Sequence, residues 1–333
     1  MLKELCLLNG ASGDESCVRD YIISEIKNYC EYSVDAIGNI IAFKKGKSKP
    51  GKKLMLCAHM DEVAFIITGI TGDGYLKFTT VGGIDPHAVI NRTVSVNGVK
   101  GVIGAKAVHQ LSESEKKTQP SVSQLTVDIG AKSDEEAKKY VSLGDYAYFV
   151  SDFTEFGDGF LKAKALDDRI GCMLLIELIK SELEYDAYFA FNVQEEVGLR
   201  GAKCSAYSVN PDYAIVLETT TAADLNACTG ADRVCVLGNG PVVSFMDSRT
   251  VYDRDMFQKA FDAAKSNNIP CQTKTAVAGG NDAGAIQTSR SGVKVLAVSI
   301  ACRYIHSASS VVKLSDIDCT RKFIKEFINA LYD

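Results

Sequence analysis

Apolar side chains at Val18, Tyr21, Ile22, Ile26 and Tyr29 recur every three or four residues, which predicts a helix over Glu15–Tyr29 with one face turned to a core. Beyond it the period changes. Tyr32–Asp35 and Asn39–Phe43 read as short strands around an Ile37-Gly38 turn. The basic loop Lys44–Lys53 then leads into Leu54-Met55-Leu56-Cys57-Ala58, a continuous apolar run expected of a strand buried on both faces. From Ala64 to Phe153 the texture is one of short strands punctuated by glycine: Ala64–Thr68, Tyr75–Thr80, Thr93–Val96, Lys100–Ala105, Leu125–Ile129 and Tyr146–Val150. That is the pattern of a small β-barrel or sandwich. Within it, Ser133–Val141 reads as a helix opened by a Ser133/Glu136 capping box, and Gln110–Val122 as a solvated loop.

After Phe153 strands and helices alternate: helix Asp168–Lys180, strand Ala187–Val193, helix Leu199–Tyr207, strand Tyr213–Leu217, helix Arg254–Asn267, strand Lys294–Ile300 and a closing helix Leu314–Tyr332. Alternation of this kind predicts an α/β fold with a mainly parallel sheet flanked by helices. The all-β block interrupts it. The expected organisation is therefore a catalytic domain of residues 1–64 and 155–333 with an inserted β-barrel domain at 65–154.

Composition narrows the function classes. A net charge of −5 offers no electrostatic footprint for nucleic acid or an anionic membrane, and no apolar run approaches the roughly 18 residues of a membrane span. Eleven cysteines are an odd number, no secretory leader precedes them, and no C-x2-C pair occurs. They read as small buried hydrophobes in a reducing, cytoplasmic compartment rather than as a disulfide or thiolate-zinc framework.

The polar residues at the strand ends carry the chemistry. In open α/β sheets ligands collect beyond the carboxyl ends of the strands. Here His59-Met60-Asp61-Glu62 follows Leu54–Ala58, Glu195-Glu196 follows Ala187–Val193, Glu218 follows Tyr213–Leu217, His306 follows Lys294–Ile300 after a short connection, and Asp167-Asp168 opens a helix. Taken singly, Glu195-Glu196 could be a solvated turn, Asp167 a helix cap, and either histidine a hydrogen-bonded bystander. Taken together, two imidazoles and several carboxylates on one rim point to a catalytic zinc, cobalt or manganese site. Asp167, Glu196 and Glu218 with a bridging hydroxide would balance two divalent cations. Asp61 is placed to orient the His59 imidazole, and Glu195 is left uncoordinated as a general base.

At these residues the chain resembles the M42 family of metallo-aminopeptidases, whose members include glutamyl and deblocking aminopeptidases and chains described as endoglucanases. The blocks that carry the resemblance are Ala58-His59-Met60-Asp61-Glu62, Ala165 to Gly171, Gln194-Glu195-Glu196-Val197-Gly198, Gly279 to Ala285 and Arg303-Tyr304-Ile305-His306-Ser307, with Val81 to Pro86 in the barrel. The resemblance implies two metal ions per subunit, with Asp167 bridging, His59 and Glu218 completing one site, and Glu196 and His306 the other. It also implies Glu195 as the base, a cis peptide after Asp167, and a homo-oligomeric assembly, a dodecamer. The chain departs from the pattern at Glu218, where many members carry Asp, and at Ala301 and Ala308, where they carry Pro. The longer Glu218 side chain predicts weaker metal occupancy at the His59/Glu218 site.

The function expected is removal of N-terminal residues from short peptides by a metal-bridging water, with Glu195 moving the proton. The glycine-rich Gly279–Gly284 loop is expected on the substrate rim, with Gly280 and Asp282 as substrate residues. Two rivals share the metal ligands: a deacylase or dipeptidase acting on N-acyl amino acids, and a non-catalytic metal-binding shell subunit. An acidic substrate residue would require a cation, for which Arg233, Arg249 and Arg303 are the candidates.

Overall fold

The computed structural model describes residues 1–118 and 120–332; Gln119, inside the predicted loop Gln110–Val122, and Asp333, at the end of the predicted catalytic domain, lie outside the described residues. Eight strands form the main sheet, in the order Glu31–Val34, Ile40–Lys44, Ala187–Asn192, Leu54–His59, Tyr213–Thr221, Lys294–Cys302, Val242–Val243, Gln272–Thr273. The four central strands run parallel, as alternation with helices requires. Toward the edges the sheet is mixed: Ile40–Lys44 and Glu31–Val34 join through antiparallel pairings, and Val242–Val243 pairs antiparallel with Lys294–Cys302.

Burial explains which strand is central. Every residue of Leu54–His59 is buried, and Leu54, Met55, Leu56, Cys57 and Ala58 all belong to the main apolar core. The helix Leu166–Lys180 packs on this strand and on Tyr213–Thr221. Its Ile170, Leu174 and Ile179 belong to the same core as Leu54, Leu56, Phe189 and Phe191.

The barrel closes on six strands, Ala64–Ile70, Leu76–Val81, Thr126–Asp128, Val99–Gly104, Thr93–Val96 and Tyr146–Phe149. It has a core of its own. Phe65 meets Phe78 and Phe149 edge to face with ring centroids 5.1 and 5.0 Å apart, a geometry the aromatic quadrupole favours.

Several elements differ from the sequence expectation for local reasons. The first amphipathic helix spans Ser16–Ile26, shorter at both ends, and an additional helix, Leu2–Leu7, buries Leu5 and Cys6 ahead of it. The barrel helix is a single turn, Asp134–Ala137; the Ser133 hydroxyl accepts the Glu136 N–H as expected, but the Glu136 carboxylate accepts the Lys132 N–H rather than that of Ser133. The strand predicted to end at Leu217 continues through Thr219 and Thr220 to Thr221, β-branched residues that suit a strand. Glu218 therefore lies within it. A small sheet of Thr154–Phe156, Phe160–Ala163 and Ser310–Lys313 was not legible as strands; it ties the return from the barrel to the segment just after His306.

Candidate metal and catalytic centre

Sheet register builds the centre. His59 pairs with Asn192 on one side, and extending the Cys57–Val216 pairing by two residues brings Glu218 level with His59 on the other. Paired residues of neighbouring strands project to the same face, so His59 and Glu218 converge, with His59 Nε2 3.3 Å from Glu218 Oε1. Just beyond Asn192, Gln194 takes a left-handed φ of 55°, and the chain turns so that Glu195 and Glu196 follow the strand end. Ala165 at φ 54° does the same ahead of Asp167, and His306 itself sits at φ 58°. Such positions cost a non-glycine residue stability and cluster where geometry is imposed for function.

Asp167 joins the two histidines. Its Oδ1 stands 3.4 Å from His59 Nε2 and its Oδ2 3.2 Å from His306 Nε2, while Glu196 Oε1 is 3.4 Å from His306 Nε2. Donors bonded at 2.0–2.1 Å to a tetrahedral ion lie roughly 3.3 Å apart, so these separations match the edges of a coordination polyhedron. The buried oxygens Asp167 Oδ1, Glu196 Oε1 and Glu218 Oε2 have no hydrogen-bond partner, an arrangement that a cation resolves. Among the described residues two groups each bring their donor atoms within 4.8 Å of one another: His59 with Asp167 and Glu196, and His59 with Asp168 and Glu218.

Asp168 was not assigned a role from sequence. It follows Asp167 through a cis peptide and is fully buried; its Oδ1 accepts the Gly171 N–H at 2.9 Å and its Oδ2 is unpartnered. The only sequence signal was its place in the Asp-Asp pair.

Both imidazoles are oriented through their far nitrogens. His59 Nδ1 faces the Asp61 carbonyl at 3.1 Å and His306 Nδ1 the Gly83 carbonyl at 2.8 Å, so donation there leaves each Nε2 lone pair aimed at the carboxylates. Gly83 follows the barrel strand Leu76–Val81, which gives the barrel a direct hand in the site. No barrel residue had been assigned to the chemistry from sequence.

Electrostatics follow from crowding acids in a dry place. Burial foremost, opposed by His59 and reinforced by Glu218, Asp282 and Glu196, raises the Glu195 carboxyl well above the ordinary range. Burial likewise pushes Glu196 up to about 7. At Asp167 burial is outweighed by the two histidines, which hold it well below the usual value. His306 moves the other way: burial opposes its charge, but Asp167 and Glu196 raise it to about 9.

A cleft of about 320 Å³ opens over the centre, lined by Asp167, Glu195, Glu196, Glu218 and His306 and, further out, by Arg249, Lys274 and Gly280. Asp282 is not on this lining. Its carboxylate is buried, accepts the Asn192 side-chain N–H at 2.8 Å and is pushed up to about 6 by burial. At Gly280 the close approach foreseen for a substrate is made by Arg249, whose Cδ would lie 2.7 Å from an added Cβ. Arg303 is engaged bidentately by Asp224 at 2.6 and 2.8 Å, and Arg233 donates to the Cys228 carbonyl.

The profile of the M42 glutamyl aminopeptidase family matches residues 38–323. The chain belongs to the M42 peptidase family. A putative aminopeptidase of Acetivibrio thermocellus is 40% identical over 331 residues, covering 98% of this M42 peptidase and 97% of the relative. An aminopeptidase from the archaeon Desulfurococcus kamchatkensis superposes with a TM-score of 0.93 at 32% identity, over 98% of this chain and 93% of that one. The TET1 peptidase of Pyrococcus horikoshii, described as able to assemble into a tetrahedron or a large octahedral shell, superposes at 0.86 with 38% identity, over 99% and 98%. Family membership makes this protein a peptide hydrolase, and the mixed α/β architecture with a closed antiparallel barrel is that of its solved neighbours.

Proposed function

We propose that this M42 peptidase is a dinuclear metal-dependent aminopeptidase that removes N-terminal residues from short peptides. The observation that carries the reading is the posture of Asp167, one oxygen facing His59 at 3.4 Å and the other facing His306 at 3.2 Å. Two divalent ions, zinc first and cobalt or manganese as substitutes, would be held by His59, Asp167 and Glu218 and by Asp167, Glu196 and His306, supplying Lewis acidity and an activated water at neutral pH. Asp168 stands as an alternative donor beside Glu218. Among the described residues no hydrogen bond engages the Glu195 carboxylate, which leaves it free to take a proton from the attacking water and return it to the leaving amine. Asp61 fixes the His59 imidazole and the backbone of the two glutamates.

The same reading extends to the substrate side chain, for which an acidic residue is favoured. Arg249 and Lys274 are the lysine and arginine side chains on the cleft lining among the described residues, and the carboxylate contact that Arg249 makes there is through its backbone N–H, to Asp247. Asp247, the acid nearest to Arg249 in sequence, already accepts the Arg249 and Thr250 N–H groups and the Tyr252 hydroxyl. Gly280 and Gly284 leave room for the Arg249 stem, which holds the guanidinium on the rim. The family profile carries the glutamyl designation.

Residues 1–64 and 155–333 act in this reading as the catalytic domain, and 65–154 as a barrel governing assembly and access. A homo-oligomer is supported by the assemblies of the TET1 neighbour and by Tyr140 and Leu143 on the barrel surface, 54% and 66% exposed, and a dodecamer by a solved TET1 structure described as a dodecamer, 37% identical over 99% of this chain and 97% of that one with a TM-score of 0.85. A cytoplasmic location is supported by the eleven free cysteines; among the described residues no helix is long and apolar enough to cross a membrane.

The test is a panel of aminoacyl-anilides and N-acyl amino acids assayed after reconstitution with zinc, cobalt or manganese. Turnover of aminoacyl substrates, glutamyl fastest, is expected. Hydrolysis of the acylated set alone would establish a deacylase, and no turnover with any metal would leave a non-catalytic shell subunit.

A further inference from the structure

The backbone that carries Glu195 and Glu196 is not held by the sheet. Beyond the strand Ala187–Asn192, four consecutive N–H groups donate to side chains brought from distant parts of the chain: Val193 to Asn39 Oδ1 at 2.9 Å, Gln194 to Glu15 Oε1 at 3.0 Å, Glu195 to Asp61 Oδ1 at 2.9 Å and Glu196 to Asp61 Oδ2 at 3.1 Å. Of these acceptors, Glu15 has no role in the metal site. It is a buried carboxylate just ahead of the helix Ser16–Ile26, and the same oxygen accepts the Gly13 N–H at 2.9 Å. Three residues earlier, the Ser12 hydroxyl donates to Asp61 Oδ2 at 2.6 Å. One short N-terminal segment thus reaches the Glu195–Glu196 turn twice, directly through Glu15 and through Ser12 on Asp61.

That segment is gripped from the other side by the barrel. Tyr146 donates its hydroxyl to the Ser12 carbonyl at 3.0 Å, and Tyr148 donates to Asp14 Oδ2 at 2.6 Å while accepting the Ala11 N–H at 3.4 Å. Both tyrosines belong to the barrel strand Tyr146–Phe149.

We propose that residues 11–15 are a positioning segment for the Glu195–Glu196 pair, with Glu15 its principal residue, and that Tyr148 couples this segment to the barrel. The physical need is specific. Gln194 is left-handed, so the turn after the strand is not a conformation its residue adopts unaided, and its N–H requires an acceptor to stay there. Without Glu15 the Gln194 N–H loses its acceptor while Asn39 and Asp61 keep the flanking ones, so the turn loosens at Gln194 and the aim of the next two carboxylates loosens with it. The inference rests on the proposed roles of Glu195 and Glu196, but the backbone clamp can be measured apart from them.

The experiment compares Glu15→Ala and Glu15→Gln, because the glutamine retains the Oε1 acceptor and only the charge is lost. In the full-length protein, hydrogen exchange at the amides of 194–196 is expected to accelerate in Glu15→Ala and to stay near wild type in Glu15→Gln. In reconstituted enzyme, kcat is expected to fall by about tenfold to a hundredfold in Glu15→Ala with KM little changed, and to recover in Glu15→Gln. Tyr148→Phe should lower kcat less, and should add almost nothing in the Glu15→Ala background. Unchanged exchange at 194–196 in Glu15→Ala, or equal impairment of both variants, would overturn the clamp, and additivity with Tyr148→Phe would sever its link to the barrel. A wild-type protein with no aminopeptidase activity would defeat the proposed function while the exchange comparison still decides the clamp.

Discussion

Asp61 accepts the backbone N–H of Glu195 on its Oδ1 at 2.9 Å, so the residue assigned from sequence to orient a histidine also aims the glutamate assigned as the base. Its second oxygen takes the Glu196 N–H and the Ser12 hydroxyl. Asp61→Asn presents one acceptor where two are used and leaves a buried donor short, an error of about 1–3 kcal/mol. We expect kcat to fall by about a hundredfold, with Glu195 and Glu196 amide exchange accelerated. Steady-state kinetics and exchange on the same preparation check this.

Glu195→Gln keeps the shape of the side chain and removes its capacity to carry a proton. Turnover should drop by about 10²–10⁴ while metal content, measured by elemental analysis, stays at the wild-type value. Loss of metal together with activity would place Glu195 among the ligands instead.

Chelation should abolish activity and lower the melting temperature, because ions bound by buried, unpartnered carboxylates stabilise only the folded state. Adding zinc, cobalt or manganese should restore both. Titration of zinc into the stripped protein should resolve a tighter and a weaker site, and Glu218→Asp should change the weaker one more.

Stability toward acid should depend on the Asp224–Arg303 pair. Burial raises the Asp224 carboxyl, but the Arg303 hydrogen bond, the Leu237 N–H and the guanidinium charge outweigh it, and the net shift is downward. A folded-state value below the unfolded one contributes stability that is present above the unfolded pKa, about 3.9, and is lost as pH falls through the lower folded value. Asp224→Asn should therefore melt earlier than wild type at neutral pH, and the difference should shrink below about pH 4. A difference independent of pH would show that packing, rather than charge, is what Asp224 contributes.

Much of the protein could be read from its sequence. Period-2 and period-3.6 patterns located most strands and helices, since burial of one face leaves its mark on residue order, and His59, Asp167, Glu195, Glu196 and His306 stood out because polar residues interrupt apolar runs there. Strands such as Phe160–Ala163 and Ser310–Lys313 escaped, because they pair with each other across the fold, a long-range relation that neither four-residue run records. Asp282 reads from sequence as a rim residue because it lies in the glycine-rich Gly279–Gly284 loop, yet its carboxylate turns inward to Asn192.

Residue order alone determined most of the longer elements, the donor types and their sequence among the strands, because these follow from local periodicity and from chemistry that each residue carries wherever it lies. Only the tertiary structure decided which donors meet, that the Gly83 carbonyl orients His306, that Arg249 rather than Arg303 lines the cleft, and that Glu15 and Asp61 hold the turn bearing Glu195. Those relations join residues as much as 223 positions apart, and a hydrogen bond across such a separation leaves no period in the chain that makes it.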